Sequence, residues 1–229
     1  MGTCSQGFAV LLGLGIFFIS NVADAKPRIS VVGAASFYSM AAEITAVPAG
    51  DLEITGETDF GFPGGGILFG FSSAPEIEIE AGILYLTQKH ALQLNSVLAH
   101  TDAAYLYKTH SILIPLMVIF HPENWMSIGV GGYGTLPVKD EVEQTPSGQV
   151  GGSSVNGPTT TVTYSQAGFI RNDLGLMVAA GVLLPLSSHW SVRVEARYAF
   201  GLRELSTQPQ TASFKSHDLI ALTGLAFGF

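Results

Sequence analysis

Over much of the chain apolar residues recur at every second position, the period of a strand whose successive side chains point to opposite faces. In WSVRVEARYAF, residues Trp190, Val192, Val194, Ala196, Tyr198 and Phe200 fall on one face, and Ser191, Arg193, Glu195 and Arg197 on the other. EIEIEAGILYL sets Glu76, Glu78 and Glu80 against Ile77, Ile79 and Ala81. In the segment finishing LTGLAFGF, Leu219, Ala221, Thr223, Leu225, Phe227 and Phe229 alternate with Asp218, Gly224, Ala226 and Gly228. The pattern predicts eight strands near 28–39, 62–72, 76–88, 104–120, 125–137, 168–184, 189–203 and 215–229. Each has one apolar face and one small or polar face.

The connections alternate in length. Residues 73–75, 121–124 and 186–188 read as tight turns rich in Ser, Pro and Asn, whereas 40–61, 89–103, 138–167 and 204–214 are long and mostly polar. An antiparallel meander with short turns at one end and long loops at the other is the plan of an up-and-down transmembrane β-barrel. Composition strengthens this: hydrophobic residues make up 47% of the chain but charged residues only 12%, about half of the roughly 25% of soluble domains. A soluble barrel or sandwich would need a charged exterior. Here the apolar faces instead carry aromatics near their ends, Trp190, Tyr198 and Phe200 on one strand and Phe227 and Phe229 on another, as the interfacial girdles of membrane barrels do. The fold expected is all-β: an eight-stranded antiparallel transmembrane barrel.

Residues 1–25 read as a cleaved secretory signal peptide preceding a barrel domain over 26–229. MGTCSQ is short and polar, GFAVLLGLGIFFIS is apolar, and VADA offers a small-x-small cleavage site after Ala25, although no Lys or Arg precedes the apolar run. Cys4, the single cysteine, lies before that run, so a mature chain from Lys26 contains none. The net charge of −8 argues against nucleic acid as a partner. The expected location is the bacterial outer membrane with both termini periplasmic.

With apolar faces outward, the charged faces line a lumen only wide enough for its own side chains. Glu76, Glu78 and Glu80 start one strand from a short turn, and Arg193, Glu195 and Arg197 start another from a turn at the same end. They are expected at similar depth, paired across the lumen, because an unpaired buried charge costs several kcal/mol. Arg171, Asp173 and Asp218 extend this set toward the loop end. The network reads as a structural plug, with a proton or ion path the alternative. Pro115, lacking an N–H, is expected to mark a bulge.

From SILIPLMVIF onward, successive segments resemble the outer membrane β-barrel family of the PorT type: Ile114-Pro115, then GVGGY over 129–133, then Asp173-Leu174-Gly175, then EARYAFGL over 195–202, then DLIALTGLAFGF. The resemblance covers 105–229. It implies an eight-stranded barrel inserted by the outer membrane assembly machinery, with roles that vary among members and in some relatives serve protein secretion. In such barrels a terminal aromatic on the closing strand is the assembly signal, which here falls on Phe227 and Phe229.

No catalytic, cofactor or metal residues are expected. His110-Ser111 and Ser216-His217-Asp218 lie near loop ends, but adjacent strand residues face opposite ways, and His217 shares the outward phase with Leu219. No His pair has ligand spacing on one face, and GFPGGG (61–66) lacks the lysine and helix of a phosphate loop. Specific function is left to the loops. Residues 41–59 carry Glu43, Asp51, Glu53, Glu57 and Asp59 and no base, and 145–168 is uncharged and Gly/Ser/Thr-rich, reading as a mobile loop. The function expected is a structural or binding role, with outer membrane lipids and lipopolysaccharide as surroundings. The alternatives are an accessory of a secretion or assembly system and a lipid-modifying enzyme.

Overall fold

A computed structural model describes residues 26–44, 52–60, 64–74, 76–96, 101–150, 153–162, 172–202 and 212–229. These form strands β1 (Lys26–Ile44), β2 (Leu52–Phe60), β3 (Gly64–Ala74), β4 (Ile77–Ser96), β5 (Thr101–Glu123), β6 (Met126–Val150), β7 (Ser153–Asn156), β8 (Thr160–Val162), β9 (Leu174–Pro185), β10 (Trp190–Gly201) and β11 (Ala212–Gly228). No helix occurs among the described residues. Strands β1, β3, β4, β5, β6, β9, β10 and β11 pair in that order, all antiparallel, and β11 pairs back onto β1 with Arg28 opposite Gly228. The eight strands therefore form a closed barrel, a ring without a free edge.

The register fixes how the barrel is sheared. Opposite partners run Arg28, Gly70, Glu80, Met117, Gly131, Met177, Ala199, Asp218 and back to Tyr38 on β1. One circuit thus climbs ten residues (38 − 28 = 10). With a rise of roughly 3.3 Å per residue and strands roughly 4.8 Å apart, eight strands with this shear tilt by about 40° from the axis.

Alternation sorts the side chains as the sequence pattern predicts. Outward positions are apolar and exposed on every wall, among them Val31, Ile67, Phe69, Ile83, Leu116, Val118, Ile128, Val130, Leu176, Val178, Val194 and Leu225. Inward positions fill the lumen. Val32, Ala34, Leu68, Leu84, Leu86, Leu113, Met117, Ile119, Tyr133, Met177, Ala179, Ala199, Ile220 and Leu222 form one buried cluster, so the interior is packed rather than a pore.

Several boundaries differ from those expected. The polar stretches 40–61, 89–103 and 138–167 are largely strand: β1 runs on to Ile44, β4 to Ser96 and β6 to Val150, while β5 begins at Thr101. Strand β2 pairs with β4 from Leu52 opposite Ser96 to Thr58 opposite His90, and with β1 through Phe60 opposite Phe37 and Asp59 opposite Tyr38. Strands β7 and β8 fold back onto the end of β6. Backbone pairing carries this tall wall past the apolar band, where hydrophobic alternation shrinks to short runs such as Leu52/Ile54 and Leu92/Leu94. Pro115 does not make a bulge. It and Ile114 are skipped in the ladder with β4, but the register either side is unbroken, from Ala81 opposite Leu116 to Leu84 opposite Leu113. Irregularities in the β5–β6 ladder lie instead at His110/Ser111 and Phe120/Glu123. Residues 1–25, read as a signal peptide, lie outside the described residues.

Candidate functional site: the charged and polar layers of the lumen

The end of the barrel that carries the short turns also holds its densest charge. Arg193 and Arg197 are inward neighbours on β10 with Glu195 between them, and Glu80 faces them from β4. Arg193 donates from Nη1 to Glu80 Oε2 and from Nη2 to Glu195 Oε2 at 2.5 Å. Arg197 donates from Nη2 to Glu80 Oε1 at 2.5 Å and from Nε to Glu195 Oε1. Two guanidinium groups and two carboxylates alternate in a closed, electroneutral ring. All four residues are buried, Glu80 and Arg197 completely. Such a ring is tolerated in a low-dielectric interior because every carboxylate oxygen meets a charged donor.

Glu78 sits beside the ring with partners of its own. Arg28 Nη1 donates to its Oε2 at 2.7 Å, and His121 Nε2 lies 3.2 Å from the same oxygen. Neither Arg28 nor His121 is among the charges expected in the lumen from the sequence, where His121 falls in a tight turn. The signal for Arg28 was its phase, shared with inward Ser30 and Val32. Two glycines make the room. A Cβ on Gly70 would collide with Glu78 Oε1, and one on Gly181 would lie 2.9 Å from Glu195 Cβ. Glu76 does not join the network: it precedes β4, in the turn, where it is exposed. Arg171 lies outside the described residues.

A second polar layer lies toward the loop end, separated from the ring by the apolar cluster. Asp173 Oδ2 accepts from Tyr133 Oη at 2.9 Å and from Ser216 Oγ, while Asp173 Oδ1 accepts from the Leu174 backbone N–H at 2.8 Å. Asp218 Oδ2 accepts from Gln88 Nε2 at 2.5 Å, a contact that crosses the lumen from β4 to β11. Asp173 and Asp218 thus belong to this layer rather than to an extension of the arginine network. His217 turns outward and pairs with Tyr198 Oη through Nδ1 at 2.7 Å, and His110 pairs in the same way with Tyr85. Ser216 has its acid but not its neighbouring histidine, so the three consecutive residues are not arranged as a triad.

Phe227 packs against Trp190 and Phe229, each with ring centroids 4.9 Å apart, at the turn end of the outer wall. Among the described residues no group of three or more His, Cys, Asp or Glu is arranged to hold a metal ion.

Comparison with solved structures places this architecture. The outer membrane protein OprG from Pseudomonas aeruginosa superimposes with a TM-score of 0.51 over 91% of this chain and 98% of its own, at 13% sequence identity. The fold is that of a small outer membrane β-barrel. The attachment invasion locus protein Ail of Yersinia pestis (11% identity, 89% of this chain and 99% of that one, TM-score 0.40) and Neisserial surface protein A (14%, 89% and 97%, 0.39) are also similar in structure. No protein-family model matches the chain, and no curated protein does.

Proposed function

We propose that this protein is an integral outer membrane barrel with a packed lumen, acting structurally or as a binding surface through its loop end, without catalysis. The observation that carries this reading is the distribution of polarity. Outward residues such as Phe69, Val118, Val130, Val178 and Val194 are apolar and exposed, while Glu78, Glu80, Arg193, Glu195 and Arg197 point inward and pair there. That is the inverse of a soluble barrel and the arrangement lipid requires. Both Lys26 and Phe229 lie at the short-turn end, which in this reading is periplasmic, and the wall built from β2, β4, β5 and β6 stands on the outer side.

The apolar belt would be surrounded by lipid, with lipopolysaccharide at the loop end. The aromatic group of Trp190, Phe227 and Phe229 would lie at the periplasmic boundary and serve the assembly machinery as its recognition element. Within the class of small barrels, the motifs over 105–229 support kinship with the PorT type. Ser216 meets Asp173 while its neighbour His217 turns outward to Tyr198, an arrangement that favours the non-catalytic reading over a lipid-modifying enzyme. The test is fractionation of cells expressing the chain, followed by electrophoresis of heated and unheated protein. Recovery with outer membranes and faster migration of the unheated form are expected. Recovery in the soluble periplasm without a mobility shift would reject the reading.

A further inference from the structure

The rim of the turn end holds a cleft of about 200 Å³, framed by β1, the β5–β6 turn, the β9–β10 turn and β11. Its polar walls are Arg28, Asn124, Ser187, Ser188 and His189, and among the described residues no acid lines it. Leu183 and Ser191, also in its lining, are inward in phase, whereas Trp190 is outward and 46% exposed. The cleft therefore runs over the rim, from the mouth of the lumen to the outer wall.

The cleft is held in shape and rich in donors. Gly228 N–H donates to the His189 carbonyl at 2.9 Å, and His189 Nδ1 lies 3.2 Å from the Gly228 carbonyl oxygen. A carbonyl only accepts, so Nδ1 carries the proton of that contact and Nε2 is left to a ligand, donating to it once the ring is protonated. Ser187 Oγ accepts from the backbone N–H groups of His189 at 3.4 Å and Trp190 at 3.2 Å, which leaves its own hydroxyl proton for another acceptor. Arg28 supplies the charge. Its Nη1 is bound to Glu78 Oε2 at 2.7 Å, but its side chain is 28% exposed and that of Glu78 only 2%, so a group entering the cleft meets the cation before the carboxylate. The planar guanidinium has more donors than that contact uses, in a fork suited to phosphate.

We propose that this cleft binds the phosphate of an anionic phospholipid headgroup from the leaflet at the turn end, with Arg28 holding the phosphate and His189 and the serine hydroxyls completing its shell. The proposal rests on the outer membrane reading above. Phosphate chemistry alone would admit a free ion, and what selects a lipid is the surface alongside. Trp190 forms one wall of the cleft, its ring centroid is 4.9 Å from that of Phe227, and Phe227 packs at the same distance on Phe229. Phosphate donors bordered by an outward aromatic patch match a molecule that is anionic at one end and apolar at the other. A zwitterionic headgroup fits less well, because its own ammonium competes with Arg28.

The test uses the full chain in a Trp125→Phe background, where Trp190 is the remaining tryptophan. It is reconstituted in equimolar vesicles of phosphatidylcholine and phosphatidylglycerol, brominated on the acyl chains of one lipid or the other, and quenching of Trp190 fluorescence is read. Brominated phosphatidylglycerol is expected to quench more strongly than brominated phosphatidylcholine. Arg28→Gln combined with Glu78→Gln, which removes the cation without stranding its buried carboxylate, should abolish that excess. His189→Gln, at an exposed turn position, should reduce it, and the heat-dependent mobility shift confirms that each variant closes. Inorganic phosphate added at constant ionic strength should leave the excess intact; its loss would assign the cleft to the free ion and overturn the lipid. Equal quenching by the two lipids before any cleft residue is changed would overturn the proposal. So would an excess that survives the Arg28 change but disappears in Lys26→Gln, the mark of diffuse surface attraction. Quenching by neither lipid would instead reject the membrane reading itself, and this proposal with it.

Discussion

Arg197 has no exposed surface, and its guanidinium bridges two carboxylates that each also bind Arg193. Truncating it leaves Glu80 and Glu195 sharing one cation in a low-dielectric space. Arg197→Ala should therefore destabilise the folded barrel by about 3–5 kcal/mol, measured as a lowered urea midpoint at unchanged slope. Glu76→Gln provides the contrast. Its side chain is exposed in the turn, so the change should stay within about 0.5 kcal/mol, although its place in the Glu76, Glu78, Glu80 series makes it look equivalent. Period two tells which face a residue takes but not where the strand starts, and β4 starts one residue after Glu76. For the same reason the inward phase of Glu80, Arg193, Glu195 and Arg197 was readable, whereas the Gln88–Asp218 contact was not. It joins strands that are not neighbours, and it depends on the shear, which no single strand records.

The elements pack against one another through glycine as much as through large side chains. A Cβ on Gly131 would run into the carbonyl oxygen of Leu116 and lie 2.7 Å from Met117 Cα, both on the adjoining strand β5. Since backbone cannot swing aside as a side chain can, Gly131→Ala should push β5 and β6 apart and cost about 1–3 kcal/mol, visible as a lower thermal midpoint of the mobility shift. Gly70 differs, because the obstruction there is the end of the Glu78 side chain; Gly70→Ala should mainly disturb the contacts of Glu78 with Arg28 and His121. The transmembrane portions of the strands were legible because lipid and lumen impose opposite demands on alternate residues. Their extensions were not. In 138–150 both faces are largely polar, and in 89–103 only Leu92 and Leu94 keep the alternation; what makes those residues strand is pairing, Ser96 with Thr101 and Thr101 with Gly148. Pro115 was read as a bulge on the strength of its missing N–H, but the strand absorbs the lost bond by omitting ladder pairs without slipping register.

The molecule as a whole is a stack of layers: a salt-bridged ring at the turn end, an apolar middle and a polar cup at the loop end, enclosed by an apolar exterior. If that exterior faces lipid, a charge placed at its waist is expensive. Val130→Arg and Val194→Lys, at exposed outward positions, should each cost about 2–4 kcal/mol in bilayers. On a soluble barrel they would be nearly free. The same logic gives the most direct measurement, which is accessibility along β9. Nitroxide labels placed singly at Leu174, Leu176, Val178, Ala180 and Leu184, all exposed on the outer wall, would be probed in lipid vesicles with oxygen and with a water-soluble nickel complex. The account predicts high oxygen and low nickel accessibility across the set, with oxygen accessibility greatest near Val178 and Ala180. High nickel accessibility with low oxygen accessibility at Val178 and Ala180 would mean that the apolar wall faces water, and would contradict it.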